Sequence, residues 1–117
     1  RIAAQILQQY LGGGMSSVYF DEIREKKGWA YTVYANAIQF LDSSIFVVYA
    51  GVQPDKVLEA VQVFRRELVK VSKNGVPIGE LKRVKQSLLG SFHLSLESSE
   101  SRMMAMSNQE LFFKKEF

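Results

Sequence analysis

The sequence predicts an α+β fold in which an antiparallel β-hairpin or sheet is covered on one face by helices. Several stretches place apolar residues three and four positions apart, which is the spacing of an amphipathic helix. Residues 29–52 instead change to an alternating pattern rich in β-branched and aromatic side chains, as strands are. Hydrophobic residues make up 47% of the 117 residues, so the chain has enough apolar surface for a core.

Glycines divide the first part of the chain. A predicted helix over residues 1–11 ends at Gly12, Gly13 and Gly14, because three consecutive glycines cost too much backbone entropy to continue it. A short second helix is expected to begin at Ser16 or Ser17, either of which could cap its first turn. That helix should stop at Gly28, after two lysines whose charge suits a helix C-terminus.

Two strands are predicted over residues 29–40 and 44–52, joined by a turn at residues 41–44. In the first strand we expect Tyr31 to share one face with Val33, Ala35 and Ala37, since side chains alternate along a strand. The second strand contains an almost continuous apolar run over residues 45–50. This run predicts burial on both faces of that strand.

The second half of the chain reads as helical. A long helix is predicted over residues 54–74 and another over residues 78–96. Serines at residues 98–101 are expected to kink this helix or to separate it from a last helix over residues 101–113. The long helix is expected to bury the following apolar stripe: Val57, Leu58, Val61, Phe64, Leu68 and Val71.

The start of the chain predicts a piece of a larger protein, because Arg1 lies inside a predicted helix. We expect residues 1–117 to form a single-domain fragment. A two-stranded sheet is marginal alone, so further strands are expected upstream of Arg1 or from a partner chain. An exposed sheet edge also makes a homo-oligomer possible.

Several kinds of site are disfavoured by composition. The chain has no cysteine and one histidine, His93, which is too few ligands for a zinc site within it. Glu97 follows His93 by one helical turn, but two ligands make a poor site, and we expect an ordinary, partly buried histidine. No apolar run is long enough to span a membrane. The net charge of +3 and the dispersed basic pairs do not predict a nucleic-acid partner.

Three motifs stand out in the sequence. They are LGGGMSS at residues 11–17, REKKGWAY at residues 24–31 and YAGVQPDKV at residues 49–57. A glycine-rich loop before a helix can bind phosphate. However, the lysine and the strand–loop–helix order of a P-loop are absent, so a structural turn is the favoured interpretation.

These motifs, with SLLGS at residues 87–91 and LSLES at residues 94–98, resemble the second half of a peptidase unit of the insulinase (pitrilysin) family, M16, which includes mitochondrial processing peptidase. The resemblance covers essentially the whole chain. Val18-Tyr19 and Trp29 depart from it, since Arg-Leu and Leu are usual at those positions. It implies an LuxS/MPP-like metallohydrolase fold and a C-terminal-type, inactive half of the peptidase unit.

Members of that family bind zinc through an inverted His-x-x-Glu-His motif and a distal Glu, and the motif's Glu is the general base. This sequence lacks the motif. The resemblance therefore implies no catalytic residue here, with zinc held by another part of the parent enzyme or by a partner subunit. The expected function is the non-catalytic, substrate-binding portion of a zinc metalloendopeptidase. The alternative is a non-catalytic structural or assembly subunit of the same fold.

The resemblance also implies that Arg24 and Tyr31 bind the peptide substrate. An arginine presents several fixed donors to a carbonyl, and a phenol can donate to the same oxygen. Residue types alone favour a different reading, with Arg24 a solvated helix residue and Tyr31 a core residue of the strand.

Overall fold

The computed structural model describes residues 2–113 of the chain. It has the predicted α+β character and the predicted order of helices and strands. The elements are α1 (Ile2–Gly12), a π-helix (Phe20–Glu25), β1 (Ala30–Gln39), β2 (Ser44–Val52), a 3-10 turn (Pro54–Lys56), α2 (Val57–Asn74), α3 (Ile78–Glu97), α4 (Ser99–Asn108) and a terminal π-helix (Gln109–Phe113).

The two strands pair as an antiparallel hairpin, as predicted. Pairing is regular from Val33, opposite Ala50, to Gln39, opposite Ser44. Ala30 lies opposite Val52, so β1 holds one residue more than β2 between this pair and the next. This extra residue is a β-bulge, which bends a strand and redirects its side chains.

The bulge makes the predicted facing of Tyr31 wrong. Val33 and Ala35 are buried, as expected, but Tyr31 is 82% exposed. Strict alternation would have placed all three on one face, and the extra residue interrupts it. The predicted burial of β2 is also wrong, because its side chains alternate between exposed and half-buried.

A close approach of α1 to β1 organises the first part of the core. Gly12 is the last residue of α1, and a Cβ there would collide with the backbone of Ala35 on β1. A residue without a side chain therefore sets the distance between helix and strand. Leu11 and Tyr10 are buried beside this contact.

The buried face of α2 differs from the predicted stripe. Val57, Leu58 and Val61 are exposed, whereas Phe64 packs against the core as expected. The face that packs inward carries Ala60, Val63 and Glu67 instead. Small side chains let α2 approach the π-helix and the start of β1, where Ile23, Ala30, Ala60 and Val63 form a core cluster. Close packing therefore selects the face with small side chains for burial, although larger apolar residues lie at neighbouring positions.

The chain divides into two compact units, the first ending at Val84 and the second beginning at Lys85. In the second unit, α3 ends at Glu97 and Ser98 caps α4. The Ser98 hydroxyl accepts a hydrogen bond from the Ser101 backbone N–H at 3.2 Å. This cap accounts for the predicted break between the last two helices.

Candidate functional site

A sharp bend joins the π-helix to β1. Gly28 has a φ of 63°, a left-handed conformation that glycine adopts without steric cost. Its N–H donates to the Arg24 carbonyl at 3.0 Å, and the Trp29 N–H donates to the Ile23 carbonyl at 3.0 Å. These bonds close the end of the helix and turn the chain back into the strand.

This bend brings Arg24 and Tyr31 together. The guanidinium carbon of Arg24 lies over the Tyr31 ring, 5.0 Å from its centroid. The same carbon lies 4.8 Å from the centroid of the Phe20 ring. Both distances are those of cation–π contacts. Arg24 is half-buried, so it is not the fully solvated helix residue of the alternative reading, and Tyr31 is not part of the core that residues 2–113 form.

The polar groups of this pair have no partner among residues 2–113. No described carboxylate forms an ion pair with Arg24, and no described residue hydrogen-bonds to the Tyr31 hydroxyl. The acidic side chains nearby in sequence are engaged elsewhere. Glu22 binds Lys26 at 2.9 Å and Arg66 at 3.3 Å. The Lys26 hydrogen bond, with the charges of Lys26 and Arg66, lowers the pKa of Glu22 below its usual value despite partial burial.

A buried tyrosine fixes the π-helix from its other side. Tyr19 is fully buried, and its hydroxyl donates to the Phe64 carbonyl on α2 at 3.3 Å. Its ring packs edge-on against Phe64, with centroids 4.8 Å apart. Burial raises the pKa of Tyr19 above that of a free tyrosine, and the charge of Glu67 adds to this effect. No spacing or motif in the sequence predicted this anchor.

The serines after the glycines bind within the protein in a way that the sequence did not predict. The Ser17 hydroxyl donates to the Gly14 carbonyl at 2.6 Å, rather than accepting from a helix N–H. The Ser16 hydroxyl accepts from Arg83 Nη1 at 2.9 Å, and Arg83 Nη2 also reaches the Ser16 carbonyl. The predicted capping role is therefore wrong for both serines. Their contacts support the structural interpretation of the glycine-rich loop.

His93 does not form a metal site in the described part of the chain. It is exposed, which corrects the expected partial burial, and its ring lies 6.3 Å from that of Phe92. Within residues 2–113, no three His, Cys, Asp or Glu side chains are grouped so that they could bind a metal ion. Among the described helices, none is long and apolar enough to span a membrane.

Comparison with known proteins connects this chain to a family. Residues 1–88 match the family described as the peptidase M16 inactive domain. The chain is 40% identical over 111 residues to an uncharacterized zinc protease of Streptomyces coelicolor, covering 95% of this chain and 24% of that protein. It is 34% identical over 110 residues to the uncharacterized zinc protease YmxG of Bacillus subtilis, covering 94% of this chain and 27% of YmxG. The chain thus spans about a quarter of these relatives.

Solved structures agree with the sequence matches. A protease from Helicobacter pylori superposes with a TM-score of 0.80 at 28% identity, over 92% of this chain and 26% of that one. The peptidase M16 inactive domain from Pseudomonas fluorescens has the same fold, with a TM-score of 0.80 over 96% of this chain and 26% of that one, at 23% identity. Most of the described chain therefore has the fold seen in these proteins, and the family match covers α1, the hairpin, α2 and the first part of α3. The chain belongs to the peptidase M16 family, within its inactive domain.

Proposed function

We propose that this chain binds peptide substrate in a zinc metalloendopeptidase of the M16 family, with Arg24 and Tyr31 contacting the peptide near the bond to be cleaved. In this proposal the zinc ion is held by another segment of the parent protein or by a partner subunit. The described residues offer no set of three metal ligands. The naming of several relatives as zinc proteases supports the presence of zinc in the parent enzyme.

The single observation that carries the proposal is the Arg24–Tyr31 contact, 5.0 Å from guanidinium carbon to ring centroid. Two residues seven positions apart meet because the π-helix, the Gly28 bend and the bulge all act on the short segment between them. A ring face holds a guanidinium without using its N–H donors on an acceptor. Those donors remain available to a carbonyl oxygen of a peptide.

The two side chains would act on the substrate in different ways. Arg24 would bind and orient a peptide carbonyl through charge-assisted hydrogen bonds. The Tyr31 hydroxyl would donate to the carbonyl oxygen as that oxygen gains negative charge during attack. A donor placed in this way typically contributes about 2–4 kcal/mol of transition-state stabilisation.

Kinetics on the full-length protein tests the proposal. Tyr31→Phe keeps the ring over Arg24 but removes the hydroxyl, so turnover should fall by roughly ten- to a thousandfold. Arg24→Ala should raise KM and lower kcat together, because a ground-state contact is also lost. Zinc content and melting temperature should stay at wild-type values in both variants.

A different pattern would favour the structural or assembly alternative. If both variants keep wild-type catalytic constants but melt at lower temperature, the pair serves packing and the proposal is wrong. If the full-length wild type binds no zinc and cleaves no peptide even when assembled with its partner subunit, the chain belongs to a non-catalytic subunit. Lys27→Ala is the matched control, since Lys27 lies over the Trp29 ring, 5.4 Å from its centroid, rather than over Tyr31.

The free edges of the hairpin support a further part of the proposal. Within the described residues β1 and β2 pair only with each other, so each has one unpaired edge. We propose that strands from elsewhere in the parent protein, or from a second copy, pair with these edges. Sedimentation of the isolated chain as a monomer at high concentration would contradict edge-mediated self-association.

A further inference from the structure

We infer that Phe20 is a positioning residue, which holds the Arg24 guanidinium in the orientation needed to bind the substrate carbonyl. This inference rests on the proposed function. The guanidinium carbon of Arg24 lies 4.8 Å from the Phe20 centroid, slightly closer than to Tyr31. Arg24 therefore contacts two aromatic rings, and only one of them belongs to the substrate-binding pair.

The two rings differ in what fixes them. Phe20 is buried, with 8% of its surface exposed, whereas Tyr31 is 82% exposed on the bulge. An exposed side chain on an irregular strand is held by few contacts, so Tyr31 alone would restrain the long arginine weakly. The buried Phe20 ring gives Arg24 a fixed surface. A side chain held in its binding orientation loses less entropy when substrate binds.

The π-helix accounts for this placement. Phe20 and Arg24 are four residues apart within it, at its first turn and near its end. Single turns of π-helix recur at functional sites, where they change the direction of a side chain. Tyr19, one residue earlier, is anchored to α2 through the Phe64 carbonyl. The residue before Phe20 is therefore tied to α2, and Phe20 itself is buried.

A cation over an aromatic ring is not by itself a functional contact. Lys27 and Lys56 also lie near an aromatic ring, 5.4 and 5.7 Å from the Trp29 centroid. Lys56 additionally pairs with Glu59 at 3.8 Å. Arg24 is distinguished by having two ring contacts and no ion pair with a described carboxylate. Its position is set by aromatic surfaces, and its donors are left for a ligand.

A double-mutant cycle in the full-length enzyme tests this role. Phe20→Leu removes the ring but keeps an apolar side chain, and kcat/KM should fall about two- to fivefold, the equivalent of one partly exposed cation–π contact. In the Arg24→Ala background the same change should have no further effect, because the group being positioned is already gone. Phe20→Tyr keeps the ring and should retain most of the wild-type kcat/KM.

One result would contradict the positioning role of Phe20, and a different result would contradict the proposed function of Arg24. Lys27→Ala combined with Phe20→Leu should give additive effects, since these residues do not share a contact. If Phe20→Leu lowers kcat/KM equally with and without Arg24, Phe20 acts only through packing and this inference is wrong. Phe20→Met, also without a ring, gives the same test should the leucine variant fold poorly. If Arg24→Ala alone leaves kcat/KM unchanged, the proposed function itself fails.

Discussion

The two ends of β1 are built differently although they belong to one strand. From Val33 onward the pairing with β2 is regular, and α1 packs so closely on Ala35 that Gly12 has no room for a side chain. Before Val33 the strand bulges, Tyr31 turns outward, and Arg24 lies over its ring. One end of the strand serves packing, and the other presents polar groups.

The difference shows how a packed strand can also present an exposed side chain against a neighbouring helix, as it does for the proposed binding pair. A regular strand that buries Val33 and Ala35 can present only the intervening side chains on its other face. The bulge adds a residue, and Tyr31 and Thr32 both become exposed while Ala30 remains in the core. The irregularity is thus confined to one step of the register, and the core on either side of it is preserved.

Among the changes that compare the two ends of β1, deleting Thr32 should have the largest effect on the proposed activity. The deletion removes the extra residue, so Ala30 and Val33 could pair with Val52 and Ala50 in regular register. We expect the fold to persist and Tyr31 to stay on the exposed face between Ala30 and Val33, but to shift relative to Arg24 because the bend at the bulge is lost. Because a displacement of about 1 Å at a positioned group can cost a hundredfold, kcat/KM should fall by roughly that factor. Steady-state kinetics and a thermal melt of the full-length variant measure both effects.

A deletion in the regular part of β1 is the matched control. Asn36 is exposed and pairs with Val47, and its removal would shift every later residue to the opposite face. We expect that variant to unfold or aggregate, since a register slip of one residue exposes the buried set. If the Thr32 deletion also abolishes folding, the bulge is needed for packing and the contrast between the two ends disappears.

Gly12→Ala tests the packing end of β1. The new Cβ would lie 2.6 Å from the Ala35 Cβ and close to the strand backbone, which is too near for atoms to coexist without movement. Overpacking of this kind should lower the free energy of unfolding by about 2 kcal/mol. Gly14→Ala is the control, because a Cβ there would meet no atom within 4 Å. Equal midpoints for the two variants in a urea titration would contradict the close-approach argument.

Sequence periodicity predicted the regular helices and strands and missed the irregular position within β1. The helix limits, the hairpin and its turn follow from spacing and glycine positions, and the structure has them within a few residues. The outward Tyr31 depends on one extra residue, which no alternation pattern contains. The inward face of α2 depends on which small side chains allow close contact, so Ala60 and Val63 are buried there, and of the predicted stripe Phe64 packs beside them. Arg24 and Tyr31 were predicted to bind substrate through resemblance alone, and no periodicity predicted their contact, which depends on the segment between them.

The smallest effect is expected at Tyr19, which anchors the π-helix that carries Arg24. Tyr19→Phe removes the hydrogen bond to the Phe64 carbonyl and should lower the free energy of unfolding by about 1 kcal/mol at neutral pH. It should leave kcat unchanged, unlike Tyr31→Phe. Of the two tyrosines that flank the π-helix, Tyr19 would then affect only stability and Tyr31 only activity.

The pH dependence of that stability distinguishes Tyr19 further. Burial raises its pKa in the folded state, so above about pH 10 the unfolded chain releases a proton that the folded chain retains. The contribution of Tyr19 to the free energy of unfolding is therefore fully present below that pH. It is lost as pH rises towards the folded-state pKa, at up to about 1.4 kcal/mol per pH unit. Tyr10, whose pKa burial also raises, contributes equally to wild type and variant, so their difference isolates Tyr19. Denaturant titrations at pH 8 and at pH 11 should show the wild type losing more stability than Tyr19→Phe. Parallel losses in the two proteins would mean that the Tyr19 hydroxyl ionises as freely in the folded state as in the unfolded one.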